Sequence, residues 1–316
     1  MDKRVYGVLG ISSIMANWNA DFTGYPKTTS EGNTFGSDKA LKYPMKKMWD
    51  NAGDKVLYIK SMKLSKDKKD GVQLIPRSLK ERYEQIFDLH DLKECKDISI
   101  IVKNLFQAVD VKNFGATFVE AKKNISITGA VQIGQGFNKY EGTNPEEQNI
   151  LSPFRDGSKD NAKADSEEAK NSTLGSKIVS NEAHYFYPFV INPLAYKGFV
   201  ELGLTEGYTE EDYVKFKEAS LVSATSFATN SKVGCENEFA LFIETENNLY
   251  LPNLSEYIEF NKGEEKNIIT INCSELLNSL SDRIKSIEIY YNPYTTTINS
   301  DIKGAKKYNI FTQKEV

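Results

Sequence analysis

Apolar and polar positions fall into blocks whose spacing predicts the elements of the chain. In "RVYGVLGISSI", Val5, Val8, Leu9 and Ile11 sit among small residues before a polar loop, which predicts a buried first strand. Asn17 to Phe35, punctuated by Gly24, Pro26 and Gly32, predicts that loop. In "SDKALKYPMKKMWDNAG", Leu41, Met45, Met48 and Trp49 recur at i, i+4, i+7 and i+8, the period of one helical face. Ser37 or Asp38 can cap this helix and Gly53 stops it. Pro44 conflicts with the pattern, because proline removes a backbone donor and crowds the preceding turn.

"KVLYIKSMKL" predicts a second strand, followed by an exposed charged turn, "SKDKKDG". "SLKERYEQIFDLHDLKECK" predicts a helix, "DISIIVKNLFQAVDV" a strand running into a helix, and "ISITGAVQIGQG" another strand. With a first helix crossing between two strands, the interleaving predicts an α+β sandwich whose sheet is covered on one side and free to bind on the other. Between Tyr140 and Lys177 almost no aliphatic residues remain. Such a segment is either disorder or a functional arm, a loop or projecting hairpin without a packed core. Beyond it, the aromatic density of "HYFYPF" favours core packing over base stacking and leaves His184 an ordinary half-buried histidine. "TEEDYVKFKEASLVSATSF" predicts a helix capped by Thr209, with Asp212 three residues on. "EFALFIETE", with Phe239, Leu241 and Ile243 on one face, and "IKSIEIYYN" predict strands.

Composition narrows the chemistry. The 316 residues can bury a substantial core, and no apolar run is long enough to span a bilayer, so a cytoplasmic protein away from membranes is expected. Cys95, Cys235 and Cys273 are odd in number and far apart, which argues against a disulfide framework or a metal site. His90 and His184 are isolated from each other, so most hydrolytic mechanisms lack their usual parts. No cofactor or metal is expected. The net charge of −4 conceals an asymmetry: Lys27 through Arg82 carries 14 basic against 7 acidic residues, which leaves 26 basic against 37 acidic elsewhere. A basic face on an acidic body suits a groove for nucleic acid, and equally a solvated lysine-rich segment.

"GISSIMANWNADFTGYPKT", with the later "FGSDKALKYPMKKMW", resembles the opening of the backbone subunits of type I CRISPR Cascade, the Cas-seven family of the RAMP superfamily. "FGATFVEAKKNISITGAVQIGQG", "YPFVINPLAY", "GYTEEDYVKFKEAS" and "TNSKVG" are similar to that family's later blocks in the same order, closest to type I-B. The resemblance implies a single elaborated RRM-like (ferredoxin-like) palm over 1–316, with a finger insertion and a projecting β-hairpin thumb at about 140–177. It also implies a subunit that polymerises along CRISPR RNA in a helical filament and presents the guide to a target DNA strand. Its partners would be further copies of itself, a large subunit, an end-capping RAMP subunit and a recruited helicase-nuclease.

Holding RNA of arbitrary sequence requires phosphate and sugar contacts with base edges left free, which suits Lys, Asn, Ser and backbone amides. Lys39, Lys42 and Lys46 lie three and four apart on one helical face, pointing away from the core. With Lys27, Ser37, Lys47, Gln132 and Lys232 they form the expected RNA-contact set, while Asn17 and Asn19 either join it or anchor their loop. The thumb would carry an apolar wedge, Phe154 or Leu174. Related type III backbones cleave RNA with a loop aspartate; Asp21 is more simply a turn residue, so no catalysis is expected. The alternatives are a CRISPR RNA-processing endoribonuclease of the same superfamily and a structural scaffold that binds no nucleic acid.

Overall fold

The computed structural model describes residues 1–67, 71–151 and 173–316. The chain opens with β1 (Lys3–Ala16), a loop ending in the two-residue β2 (Phe35–Gly36), and helix α1 (Asp38–Asn51). Ser37 caps α1 by accepting from the Ala40 amide, and the helix runs through Pro44, which is buried with Leu41, Met45 and Trp49. The four therefore share the core-facing side.

The next segment departs from the expectation of a strand over "KVLYIKSMKL". The amides of Leu57 and Tyr58 donate to the two carboxylate oxygens of buried Asp110, at 2.8 Å each. A side chain thus satisfies the donors that a ladder would have used. Only β3 (Met62–Asp67) is a strand, and it pairs with β4 (Gly71–Pro76) in a hairpin separate from the main sheet. Part of the expected charged turn, 68–70, lies outside the described residues. Helix α2 (Leu79–Ile86) is shorter than its pattern, because the Glu84 carboxylate takes the Leu92 amide and Asp91 takes that of Lys93, which turns the chain. The expected strand at "DISIIV" is instead helix α3 (Ile98–Gln107), followed by α4 (Val109–Phe114). Asp97 caps α3, and Ile101, Val102, Leu105 and Phe106 bury one helical face, so packing overrides the β-propensity of the isoleucines.

The "ISITGAVQIGQG" block breaks into three strands. Hairpin β5 (Gly115–Glu120) and β6 (Lys123–Thr128) precedes β7 (Val131–Ile133) and β8 (Gly136–Asn138). Strand β9 (Pro145–Leu151) and the long β10 (Thr173–Ile191) follow, then α5 (Lys197–Glu201) and α6 (Glu210–Ser226). Thr209 and Asp212 form the capping box of α6, as the sequence predicts. The remainder is β11 (Cys235–Glu246), β12 (Ile258–Asn261), β13 (Asn267–Ile271), α7 (Ser274–Ser279), β14 (Ile284–Tyr291), β15 (Thr296–Asn299) and β16 (Lys306–Asn309).

The main sheet runs β16-β14-β11-β1-β10-β8-β2, with β7 and β9 also paired to β10. Strand β1 lies antiparallel between β10 and β11. Two cores cover its two faces. Val5, Leu9, Ile11, Tyr187, Phe189 and Phe242 pack under α1 and α6 residues such as Met45 and Phe216. Tyr6, Val8, Phe186, Phe239, Leu241 and Ile243 pack against Ile258, Phe260, Ile269 and Ile298 of the small sheet β12-β13-β15. The sheet face expected to be free is therefore covered. Along the aromatic run, Tyr185, Phe186, Tyr187 and Phe189 are all buried, which matches the expectation of core packing.

His184 is not half-buried but fully buried. Nδ1 lies 2.8 Å from Glu238 and Nε2 3.0 Å from Glu182, and the ring stacks on Phe260. Burial alone would lower its pKa, but Glu238 and Glu182 outweigh it and the net shift is upward. Cys235 and Cys273 are buried and Cys95 is half-buried, all as free thiols. Among the described residues no helix is long and apolar enough to cross a membrane.

Candidate nucleic-acid interface

The loop between β1 and α1 is held by its own polar side chains. Asp21 accepts from the Thr23 amide and hydroxyl and from the Tyr25 amide, at 2.8, 2.7 and 3.2 Å. Those bonds, the Thr23 hydroxyl foremost, hold its carboxyl below the usual range. Asn17 is buried and donates to the carbonyls of Gly24 and Ile178, while Asn19 accepts from the Ser37 amide at 2.8 Å. Lys232 inserts its ammonium against the Asn17 and Trp18 carbonyls, over the Trp18 ring, and burial lowers its pKa. Asn17, Asn19 and Lys232 thus brace the loop. Trp18, next to Asn17, donates to the Tyr187 hydroxyl, and at the far end of the loop a Cβ on Gly36 would overlap both that hydroxyl and the indole.

The lysines of α1 are not equivalent. Lys42 pairs with Asp38 at 2.8 Å and Lys47 with Asp50 at 3.1 Å. Lys46 lies 3.6 Å from Asp110 and donates to the Tyr58 carbonyl, and burial lowers its pKa. The expectation that Lys39, Lys42 and Lys46 all point freely away from the core therefore holds for Lys39 alone, which is exposed. Sequence spacing placed them on one face, but the neighbours of that face arrive from distant segments.

Lys39, Lys42 and Lys46 line a hollow of about 610 Å³ together with residues of the β5–β6 hairpin and Gln132. Gln132 donates to the Gly129 carbonyl at 2.8 Å. Gly115, at φ +81°, and Gly129 approach so closely that a Cβ on either would overlap the other's backbone. A second hollow of about 440 Å³ shares Asp38 and Lys39 with the first and adds Lys27, Ser37, Phe35 and Phe137. A third shares Lys27 and Phe35 with the second and reaches Asp21 and the fully exposed Phe22. Each hollow shares lining residues with the next, so the three make one track, and lysines and aromatic rings line all of them. Asn17, Asn19, Lys47 and Lys232 do not line it. Phe154 lies outside the described residues, and so does the side chain of Leu174.

A family model described as CRISPR-associated protein Cas7 matches residues 3–279. The chain belongs to the Cas7 family. Among solved structures, a chain of a "CRISPR RNA-guided surveillance complex, pre-nicking" is similar over 96% of this chain and 96% of its own, at 14% identity and a TM-score of 0.53. That likeness shows a shared fold. A chain of another CRISPR RNA-guided surveillance complex covers 95% of this chain and 94% of its own, at 12% identity and a TM-score of 0.48. No curated protein matches the sequence.

For this Cas7 family member, sequence reasoning found the cations of the track but missed its rings. Phe35 and Phe137 come together only because β2 pairs with β8 across 102 residues of chain. The one local signal is that each neighbours a glycine, in "FG" and "GF", where the backbone must pack closely on Tyr187.

Proposed function

We propose that the chain is a CRISPR RNA-binding backbone subunit of a Cascade surveillance complex of the type I-B class. Copies polymerise along the guide and present it for pairing with a target DNA strand. The observation that carries this reading is the track: three joined hollows whose walls offer four lysine ammoniums, with Lys27 and Lys39 free of any carboxylate partner among the described residues. The first hollow is lined by three lysines and by the hydroxyl-bearing Thr117, Ser126 and Thr128 beside its apolar residues, a set that suits phosphate and ribose contact without base readout.

The architecture supports an RRM-like palm. Strand β1, helix α1, the strand pieces β7 to β9, then β10, α6 and β11 follow the order of that fold, with β1 central between antiparallel β10 and β11. The segment 62–114 then serves as the finger. The β9–β10 ribbon serves as the base of the thumb, since residues 173–179 of β10 pair with β9 beyond the last β1 pair, Ala16 with Ser180. Membership of the Cas7 family supports a role in assembly with other Cascade subunits, a large one and an end-capping one, and with a recruited helicase-nuclease. A non-catalytic role is supported by Asp21, whose carboxylate is occupied by its own turn, and by His184, enclosed between two glutamates.

The test is purification of the chain from cells carrying its CRISPR locus. Co-purification of an RNA of about one spacer unit with several copies of the chain is expected. Recovery of a monomer without RNA, or cleavage of CRISPR repeat RNA by the purified protein, would overturn the reading.

A further inference from the structure

We propose that Phe137, backed by Phe35, is a stacking platform for one base of the bound single strand, with Lys27 and Lys39 holding the phosphates beside it. The inference rests on the RNA-binding reading and adds to it a defined subsite for a nucleobase.

Phe137 is 42% exposed although it sits in a strand, and it lines the second hollow. Leaving a ring in water forfeits burial energy, and the fold offers ample apolar core elsewhere. The ring is also held firmly. Phe35 stands directly opposite it in the ladder, with centroids 6.1 Å apart and the planes at 39°. The next pair, Gly36 and Gly136, lies so close to the Tyr187 ring that neither strand can shift inward. The amide of Asn138, next to Phe137, donates to the Thr34 carbonyl at 3.0 Å. Fixed aromatic surface of this kind binds a flat partner with little further loss of freedom.

The surroundings select the partner. Lys27 and Lys39 line the same hollow, and no carboxylate neutralises either among the described residues. The Phe35 amide donates to the Lys27 carbonyl at 2.9 Å, so the backbone of this cation is tied to the ring. The one carboxylate in the hollow, Asp38, is already paired with Lys42. An exposed ring that shares a hollow with two cations unpaired among the described residues matches a base flanked by phosphates, whereas an apolar protein segment would leave both cations without a counter-charge. Every base has a π-face, so the platform accepts any sequence, as a guide-binding protein requires.

The experiment uses the full chain and RNA oligonucleotides that carry 2-aminopurine at each position in turn. With the wild type, fluorescence at a recurring position is expected to be quenched on binding. Phe137→Ala should abolish that quenching and weaken binding about 5- to 150-fold, the equivalent of about 1–3 kcal/mol for one stacked base. Its salt dependence should stay unchanged, because no phosphate contact is lost. Phe137→Trp should restore both signals, which a purely structural role for the residue does not predict. If the wild type binds RNA with steep salt dependence but Phe137→Ala leaves affinity and quenching intact, the stacking site is refuted and the RNA reading stands. Absence of RNA binding by the wild type would refute both.

Discussion

Replacing Lys46 and replacing Lys39 should have opposite consequences, although the two lysines share one face of α1. Asp110 is fully buried, and its only charged neighbour among the described residues is the Lys46 ammonium at 3.6 Å. At an effective dielectric of about 20 the gross attraction at that distance is about 4–5 kcal/mol. For the Lys46 ammonium burial outweighs this attraction, so its pKa is lowered, and the cost of removing the lysine comes from leaving the Asp110 carboxylate buried without its cation. The Leu57 and Tyr58 amides continue to solvate the carboxylate when the lysine is removed. A net loss of about 1–3 kcal/mol is therefore expected for Lys46→Met, which keeps most of the side-chain volume. Lys39 is exposed and has no ion-pair partner among the described residues, so Lys39→Ala should change stability by no more than about 0.5 kcal/mol. Denaturant unfolding of the RNA-free chain measures both stability changes, and an RNA gel shift should show weaker binding for Lys39→Ala, whose ammonium lines the track. Lys46→Met as stable as the wild type, or Lys39→Ala as destabilising as Lys46→Met, would refute this division of roles.

Three further outcomes follow from the packing. His184 carries a raised pKa between Glu182 and Glu238, with Lys262 bonded to Glu182 and the rings of Phe260 and Tyr140 packed against it. Its stabilising contribution is fully present below the unfolded pKa of about 6.5 and is lost as pH rises through the folded value, so His184→Gln should flatten the decline of stability above about pH 6.5. An undiminished decline in the variant would contradict the charged-histidine reading. Gly36→Ala should cost about 1–3 kcal/mol through overlap with Tyr187 and Trp18, read as a lower Tm; an unchanged Tm would mean the loop yields easily. Asp21→Ala should loosen the 21–25 turn and leave any nuclease background unchanged, whereas loss of a magnesium-dependent RNA cleavage would make Asp21 catalytic.

What sequence made legible was local. The α1 face, the Thr209 cap and the Phe239, Leu241 and Ile243 face of β11 follow from periodicity and capping, which depend on neighbours within a few residues. The failures involve partners far along the chain. Asp110 removes Leu57 and Tyr58 from strand geometry across 53 and 52 residues, and Ile98–Gln107 becomes helical because its apolar face has a core to enter. The second face of the main sheet is covered by strands that begin at Ile258, beyond the blocks from which a free face was inferred. The candidate site shows the same division: its lysines stand in one short run, while the Phe35–Phe137 pair and the Lys46–Asp110 pair exist only in three dimensions.

The most direct test of the account is the salt dependence of binding between the chain and a guide-length RNA, for the wild type and for Lys27→Ala and Lys39→Ala. If the track carries the phosphates, log affinity falls linearly with log salt, and each substitution lowers the slope by about 0.7, the value for one phosphate on a single strand. A slope near zero, or one that neither substitution changes, would contradict the claim that this face holds RNA.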